Sequence, residues 1–204
     1  MTLDKKIFIR NFISNESSQK KNKSLGKIFD EIKKDTKRER NVFSTLNKNF
    51  KFNFKIREFQ KYKKFKLIVI VGMGGSILGS EAIYEFLQHK IKKDVIFLNN
   101  LNENEILKIK KNKNLKKGLF IFISKSGNTL ETLSNINLLN KINFDNKNTI
   151  VVTEKKKENA LKLFAEKRKI PLIEHKKYIG GRFSVLSEVG MLPAFLMGLN
   201  FKKI

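Results

Sequence analysis

Five short apolar runs punctuate the chain between residues 66 and 178: Leu67–Val71, Val95–Leu98, Leu119–Ile123, Thr149–Thr153 and Pro171–Ile173. Their β-branched and aromatic content and their shortness predict buried strands. Helical spacing fills the gaps. Ala82, Ile83, Phe86 and Leu87 share a face over Ser80–Lys90, and Ile106, Leu107 and Ile109 fall within Asn102–Asn112. Thr129–Lys141 and Glu158–Lys169 complete the alternation. Continuous apolar strands separated by amphipathic helices predict an α/β fold of three layers, a doubly wound five-stranded parallel sheet.

Upstream, Leu25, Ile28, Phe29 and Ile32 recur at helical spacing, and Val42, Phe43 and Leu46 extend the pattern after a break. Residues 1–65 therefore read as an N-terminal helical arm. Its last part, Asn49–Phe65, alternates Phe with Lys or Asn before turning helix-like. Residues 66–178 read as the sheet domain. Residues 179–204 carry an arginine motif and an apolar helix, Val185–Leu199, expected to pack against material outside this chain.

Composition narrows the classes. A chain of 204 residues with 40% hydrophobic residues can bury a core, which excludes a disordered tail. With no Cys, a disulfide scaffold, a zinc finger and a thiol nucleophile are excluded. No apolar run approaches the roughly 18–20 residues of a membrane span. Met1–Asn15 lacks an apolar h-region, so no signal peptide is expected and the chain reads as cytoplasmic. Lys and Arg number 44 against 19 Asp and Glu, a formal charge of +25. Nucleic-acid binding is the obvious reading of that charge. Codon bias competes: Lys, Asn, Ile and Phe can all be encoded by A and T alone, and a Lys-rich surface follows without selection for DNA or RNA.

Two turns carry candidate chemistry. Val71-Gly72-Met73-Gly74-Gly75-Ser76-Ile77-Leu78-Gly79 joins the first strand to a helix. Glycines let backbone N–H groups approach an anion at a helix start. The dinucleotide fingerprint fails because its third glycine falls on Ile77, and a Walker A loop fails because Gly79 is followed by Ser80-Glu81. A tight connection without ligand explains the cluster as well. Ser124-Lys125-Ser126-Gly127-Asn128-Thr129-Leu130-Glu131-Thr132 follows the third strand and sets hydroxyls, one Lys and one Gly at a helix start. That suits a phosphate. It also suits capping, by Ser126 or Thr129 or by an Asn128/Glu131 box. Both turns lie at carboxyl ends of strands, where open α/β sheets bind ligands, which favours phosphate.

These two segments resemble the ligand loops of sugar isomerase (SIS) domains. Ile179-Gly180-Gly181-Arg182-Phe183-Ser184-Val185-Leu186-Ser187 is similar to the signature of the glucose-6-phosphate isomerase family. The resemblance spans residues 25–204, and its three motifs stand in the family's order. It implies that Gly75 and Ser76 meet the sugar. Ser124, Ser126 and Thr129 would hold its phosphate with the Lys125 backbone, and Arg182 would be catalytic, stabilising an enediolate oxygen. The implied reaction interconverts an aldose and a ketose phosphate through a cis-enediol, with no metal or nucleotide cofactor and with a homodimer as the full-length form. No nucleic-acid or membrane partner is implied.

In the family the base, a ring-opening His and a late Lys lie downstream of the arginine motif, so the chain reads as an N-terminal portion, expected to bind sugar phosphate weakly at best and not to turn over. Neither His89 nor His175 matches a catalytic position, and both read as surface residues. Glu81 and Glu131 read as helix-start stabilisers, and Glu188 stands where many family members carry a small residue or Pro. The competing expectation, a stand-alone SIS sensor fused to a regulator, requires a helix-turn-helix that residues 1–50 do not clearly show.

Overall fold

The computed structural model describes residues 15–156 and 158–200. The N-terminal stretch read above as lacking a signal peptide lies almost wholly outside them. Two compact units divide the chain, Met1–Asn47 and Lys48–Ile204. In the first, helix α1 (Asn15–Lys37) is followed by a 3-10 turn, Val42–Leu46, and Asn47 Nδ2 donates to the Thr36 carbonyl at 3.0 Å. The expected stripe is present, but Leu25, Ile28 and Phe29 on it are exposed.

The second unit is built on strands β1 (Leu67–Val71), β2 (Asp94–Leu98), β3 (Leu119–Ile123), β4 (Thr149–Thr153) and β5 (Leu172–Glu174). All pairings are parallel, in the order β2-β1-β3-β4-β5. Every residue of β1, β3 and β4 is buried, as their unbroken apolar runs require. Pleating sends alternate side chains to opposite faces. Leu67, Val69, Phe120, Phe122 and Val151 meet Ile106, Ile136, Leu161 and Ala165 of α4 (Glu103–Lys110), α5 (Leu130–Leu138) and α6 (Ala160–Lys167). Ile68, Ile70, Ile121 and Val152 meet α7 (Glu188–Leu196) and Phe54, Phe59 and Tyr62. Helix α3 (Leu78–Leu87) packs beside α7 through Ile83 and Ala194. The result is the expected three-layer, doubly wound α/β fold.

Three expectations change. Residues 48–65, read with the arm, belong to the sheet unit: a short helix α2 (Ile56–Phe59) and a 3-10 turn bury Phe59 and Tyr62 in the core. On α3 the buried face is Ile83, with Ala82 exposed and Phe86 81% exposed. Ile83 packs on Ala194 of α7 and Tyr84 on Phe97 of β2, while Phe86 faces away from both. Helix α7 itself, expected to seek a partner outside the chain, is buried at all nine positions within this unit. Apolar all round, it is a core helix.

Pro193 stands inside α7. It has no N–H to donate to the carbonyl four residues back, Val189. The fully buried Ser80 hydroxyl of α3 donates to that carbonyl at 2.9 Å. Ser80→Ala leaves a buried acceptor unsatisfied, so it should destabilise the fold by about 1–3 kcal/mol in urea unfolding. An unchanged midpoint would contradict this role.

Candidate active site

Strand order creates the site. The chain leaves β1 toward α3 on one face and leaves β3 toward α5 on the other, although β1 and β3 are neighbours. This order reverses between β1 and β3, and the crevice at such a switch point is where open α/β sheets hold ligands. Both candidate turns stand at it.

After β1, Gly72 N–H extends the ladder to the Leu98 carbonyl at 3.2 Å, and Gly74–Ser76 forms a 3-10 turn. Gly75 touches the backbone of Gly181 and Arg182 so closely that a Cβ would fall on the Gly181 carbonyl. Only glycine fits there. Ser184, buried, donates from Oγ to the Gly75 carbonyl at 2.9 Å and closes the contact. Ser76, partly buried, sits in the same turn.

After β3, the hydroxyls bond to one another and to their own loop. Ser124 Oγ lies 2.9 Å from Thr129 Oγ1 and accepts from Gly127 N–H at 3.1 Å. Ser126 Oγ lies 3.4 Å from Thr129 Oγ1 and accepts from Asn128 N–H. Gly127 has φ +73° and abuts Asn159, so neither its backbone nor its surroundings admit a side chain. The capping alternative is not what forms. Thr129 is the residue before α5 and makes no side-chain cap bond. Asn128 instead accepts from Ala160 N–H of α6 at 2.8 Å, and the buried Asn159 accepts from Lys162 N–H. The loop is thus pinned to α6, while the start of α5 stays uncapped among three hydroxyls. Backbone N–H groups and the positive end of the helix dipole suit a phosphate there.

Arg182 lies in a 3-10 turn, Gly181–Phe183, exposed and without an ion pair among the described residues. Lys125 is placed differently. Its ammonium donates to the carbonyls of Lys177 at 2.8 Å and Ile179 at 2.9 Å, and lies 3.6 Å from Glu154. Gly75, Ser76, Ser124, Lys125, Ser126, Thr129 and Arg182 therefore lie on three segments in mutual contact. Gly75 joins the first to the third, and Lys125 joins the second to the third.

Beneath them is a layer of charge that sequence reading missed. Glu154 follows β4 and is buried, paired with Lys156 at 2.7 Å as well as Lys125. Burial pushes its carboxyl up, but the Lys156 and Lys125 ammoniums and His175 outweigh that and hold it below the usual range. Glu188, also buried, accepts from Asn53 N–H at 2.7 Å and pairs with Lys176 at 3.0 Å. Ser187 precedes it as N-cap of α7, and Glu188 begins a regular helix. The available signal was position: an acid directly after a strand, at the ligand edge of the sheet.

His175, expected on the surface, is 1% exposed. It directly follows β5, its N–H donating to the Thr153 carbonyl, and its Nδ1 faces the Lys176 carbonyl at 3.1 Å. Burial, helped by nearby Lys125, pushes its pKa down, against the Lys176 carbonyl and the Glu188 and Glu154 carboxylates. Glu81, an expected helix stabiliser, also accepts from Asn99 at 3.3 Å.

The 2-1-3-4-5 parallel sheet, with both turns at its switch point, defines a doubly wound α/β domain. The family model for phosphoglucose isomerase matches residues 21–204, and the chain belongs to that family. It is 36% identical over 151 residues to a glucose-6-phosphate isomerase of Methanocaldococcus jannaschii, covering 71% of this chain and 37% of the relative. To a probable glucose-6-phosphate isomerase of Methanococcus maripaludis it is 32% identical, covering 94% of this chain and 45% of the other. A solved glucose-6-phosphate isomerase of Chlamydia trachomatis superposes with TM-score 0.59 at 29% identity, over 69% of this chain and 28% of that one. The chain thus spans less than half the length of these relatives. Among the described residues no helix is long and apolar enough to cross a membrane.

His175 gives a pH prediction. Its native pKa lies below its unfolded value of about 6.5, so the unfolded chain takes up the proton first. Stability should be full above about pH 6.5 and fall as pH drops toward the native pKa. His175→Gln should flatten that slope in urea midpoints between pH 8 and 5. A slope equal to the wild type's would contradict it.

Proposed function

We propose that this chain supplies the phosphate-binding and arginine-bearing part of a glucose-6-phosphate isomerase site. One observation carries the reading: the glycine turn, the hydroxyl turn and the arginine segment meet at the switch point of the sheet. The substrate phosphate sits at the uncapped start of α5, held by Ser124, Ser126 and Thr129 and by the backbone at Lys125. Gly75 and Ser76 face the sugar, and no side chain at Gly75 obstructs it.

Isomerisation of glucose 6-phosphate to fructose 6-phosphate moves a proton from C2 to C1 through a cis-enediol. Negative charge grows on the oxygens at C1 and C2 as the proton leaves. Arg182, exposed and unpaired, stabilises that charge at a fixed position, the most effective form of electrostatic help. The reaction also needs a general base at the carbon. In this reading Glu154 and Glu188 are not the base, since each is buried against an ammonium partner. The base is proposed to come from elsewhere in the working enzyme, which acts in the cytoplasm as a homodimer and requires no metal or nucleotide.

Isothermal titration with glucose 6-phosphate tests this reading. The chain should bind the sugar phosphate, and glucose without phosphate should not compete. Thr129→Val should weaken binding about tenfold, as loss of one charge-assisted hydrogen bond does. Sugar-phosphate binding indifferent to Thr129→Val and to Gly75→Ala would overturn it, as would no binding at all.

A further inference from the structure

Resting on that reading of the site, we propose that the Lys125 side chain is a positioning residue for Arg182 and not a ligand of the substrate phosphate. An ammonium has three donors and no acceptor. Two are taken by the Lys177 and Ile179 carbonyls, at 2.8 and 2.9 Å, and the ammonium lies 3.6 Å from the Glu154 carboxylate. The one donor left has the Glu154 carboxylate beside it, so a phosphate gains this ammonium only in competition with that carboxylate and with both carbonyls.

What it holds is specific. Ile179 N–H donates to the Lys176 carbonyl, so residues 176–179 form a turn, and Lys125 grips its Lys177 and Ile179 carbonyls. Gly180, Gly181 and Arg182 follow at once. Only Gly180 and Gly181 separate the brace from Arg182, and the Gly75–Gly181 contact secures the far side. Glu154 is attached to the same loop, its N–H donating to the Lys125 carbonyl at 3.2 Å. The carboxylate neutralises the ammonium where it is two-thirds buried, at 31% exposure. The phosphate turn and the arginine turn are thereby one rigid body: a phosphate that seats on residues 124–129 meets Arg182 at a preset place.

Two measurements on the whole chain test this. The first needs no variant. In lysine-labelled protein the Lys125 ammonium protons should exchange slowly with water, and their nitrogen resonance should stay put as inorganic phosphate is added to saturation. Fast exchange like that of a surface lysine, or a resonance that follows the phosphate titration, overturns the proposal. The second uses Lys125→Met and amide hydrogen exchange. The amides of Ile179, Phe183 and Ser184 are hydrogen-bonded and report the arginine segment. They should exchange about tenfold faster or more in the variant, with β1 and β3 unchanged. Unchanged exchange there overturns it. Failure of wild-type protein to bind phosphate or glucose 6-phosphate would instead sink the functional reading, while both exchange measurements would still decide the brace.

Discussion

Everything at the ligand edge follows from one constraint: β1 and β3 are neighbours whose following segments must leave on opposite faces. A parallel pair inside a covered sheet cannot be joined by a hairpin, so each strand needs a crossover helix. Because β2 pairs outside β1, the chain crosses the sheet once before β3 begins. The two turns at that reversal part from each other and leave a crevice that the backbone itself lines. Glycine at position 75 lets a third segment close on this crevice, and the hydroxyl turn after β3 supplies polar groups where the sheet supplies none. Residues 179–184 complete the enclosure without belonging to any strand.

Helix α7 shows how tightly that third segment is tied to the core. It is apolar on every face because the sheet, α3 and the 48–65 segment cover it from several directions. Proline at position 193 would weaken such a helix, and the serine at position 80 repairs the gap it leaves. The helix begins four residues after Ser184, which bonds to Gly75, so the arginine turn is held between a buried helix on one side and a glycine contact on the other. Buried charge does the remaining work. Glu154 and Glu188 each pair with lysines at the sheet edge, and such pairs are costly to break from one side because the remaining charge is stranded.

The sheet was legible in the sequence because its strands are buried on both faces: β1, β3 and β4 match the apolar runs in both ends and length. The order of the strands was not legible, since parallel runs of similar composition carry no pairing information. The arm boundary misled because Phe54, Phe59 and Tyr62 sit in a Lys- and Asn-rich stretch with no clean period; aromatic rings bury large areas from short irregular segments, and a window dominated by lysine conceals them. The α3 stripe misled too, since a 3.6-residue period says which residues share a face and nothing about how much of that face is covered. At the site, the residue types in the two turns and their place at the strand ends favoured an anion, with capping as the alternative until Asn128 and Asn159 proved to serve α6. Glu154 had a signal in its position directly after a strand, but the burial of Glu154, His175 and Glu188 depends on contacts between segments distant in sequence.

Three segments, after β1, after β3 and at 179–184, are proposed to form one receptor for a sugar phosphate. Amide resonances followed through a titration with glucose 6-phosphate decide it. Gly75–Ser76, Ser124–Thr129 and Gly180–Arg182 should shift together with a single apparent affinity, while amides at the opposite, amino-terminal edge of the sheet stay still. Shifts confined to one of the three segments, or centred on the lysine-rich surface away from the switch point, would contradict it.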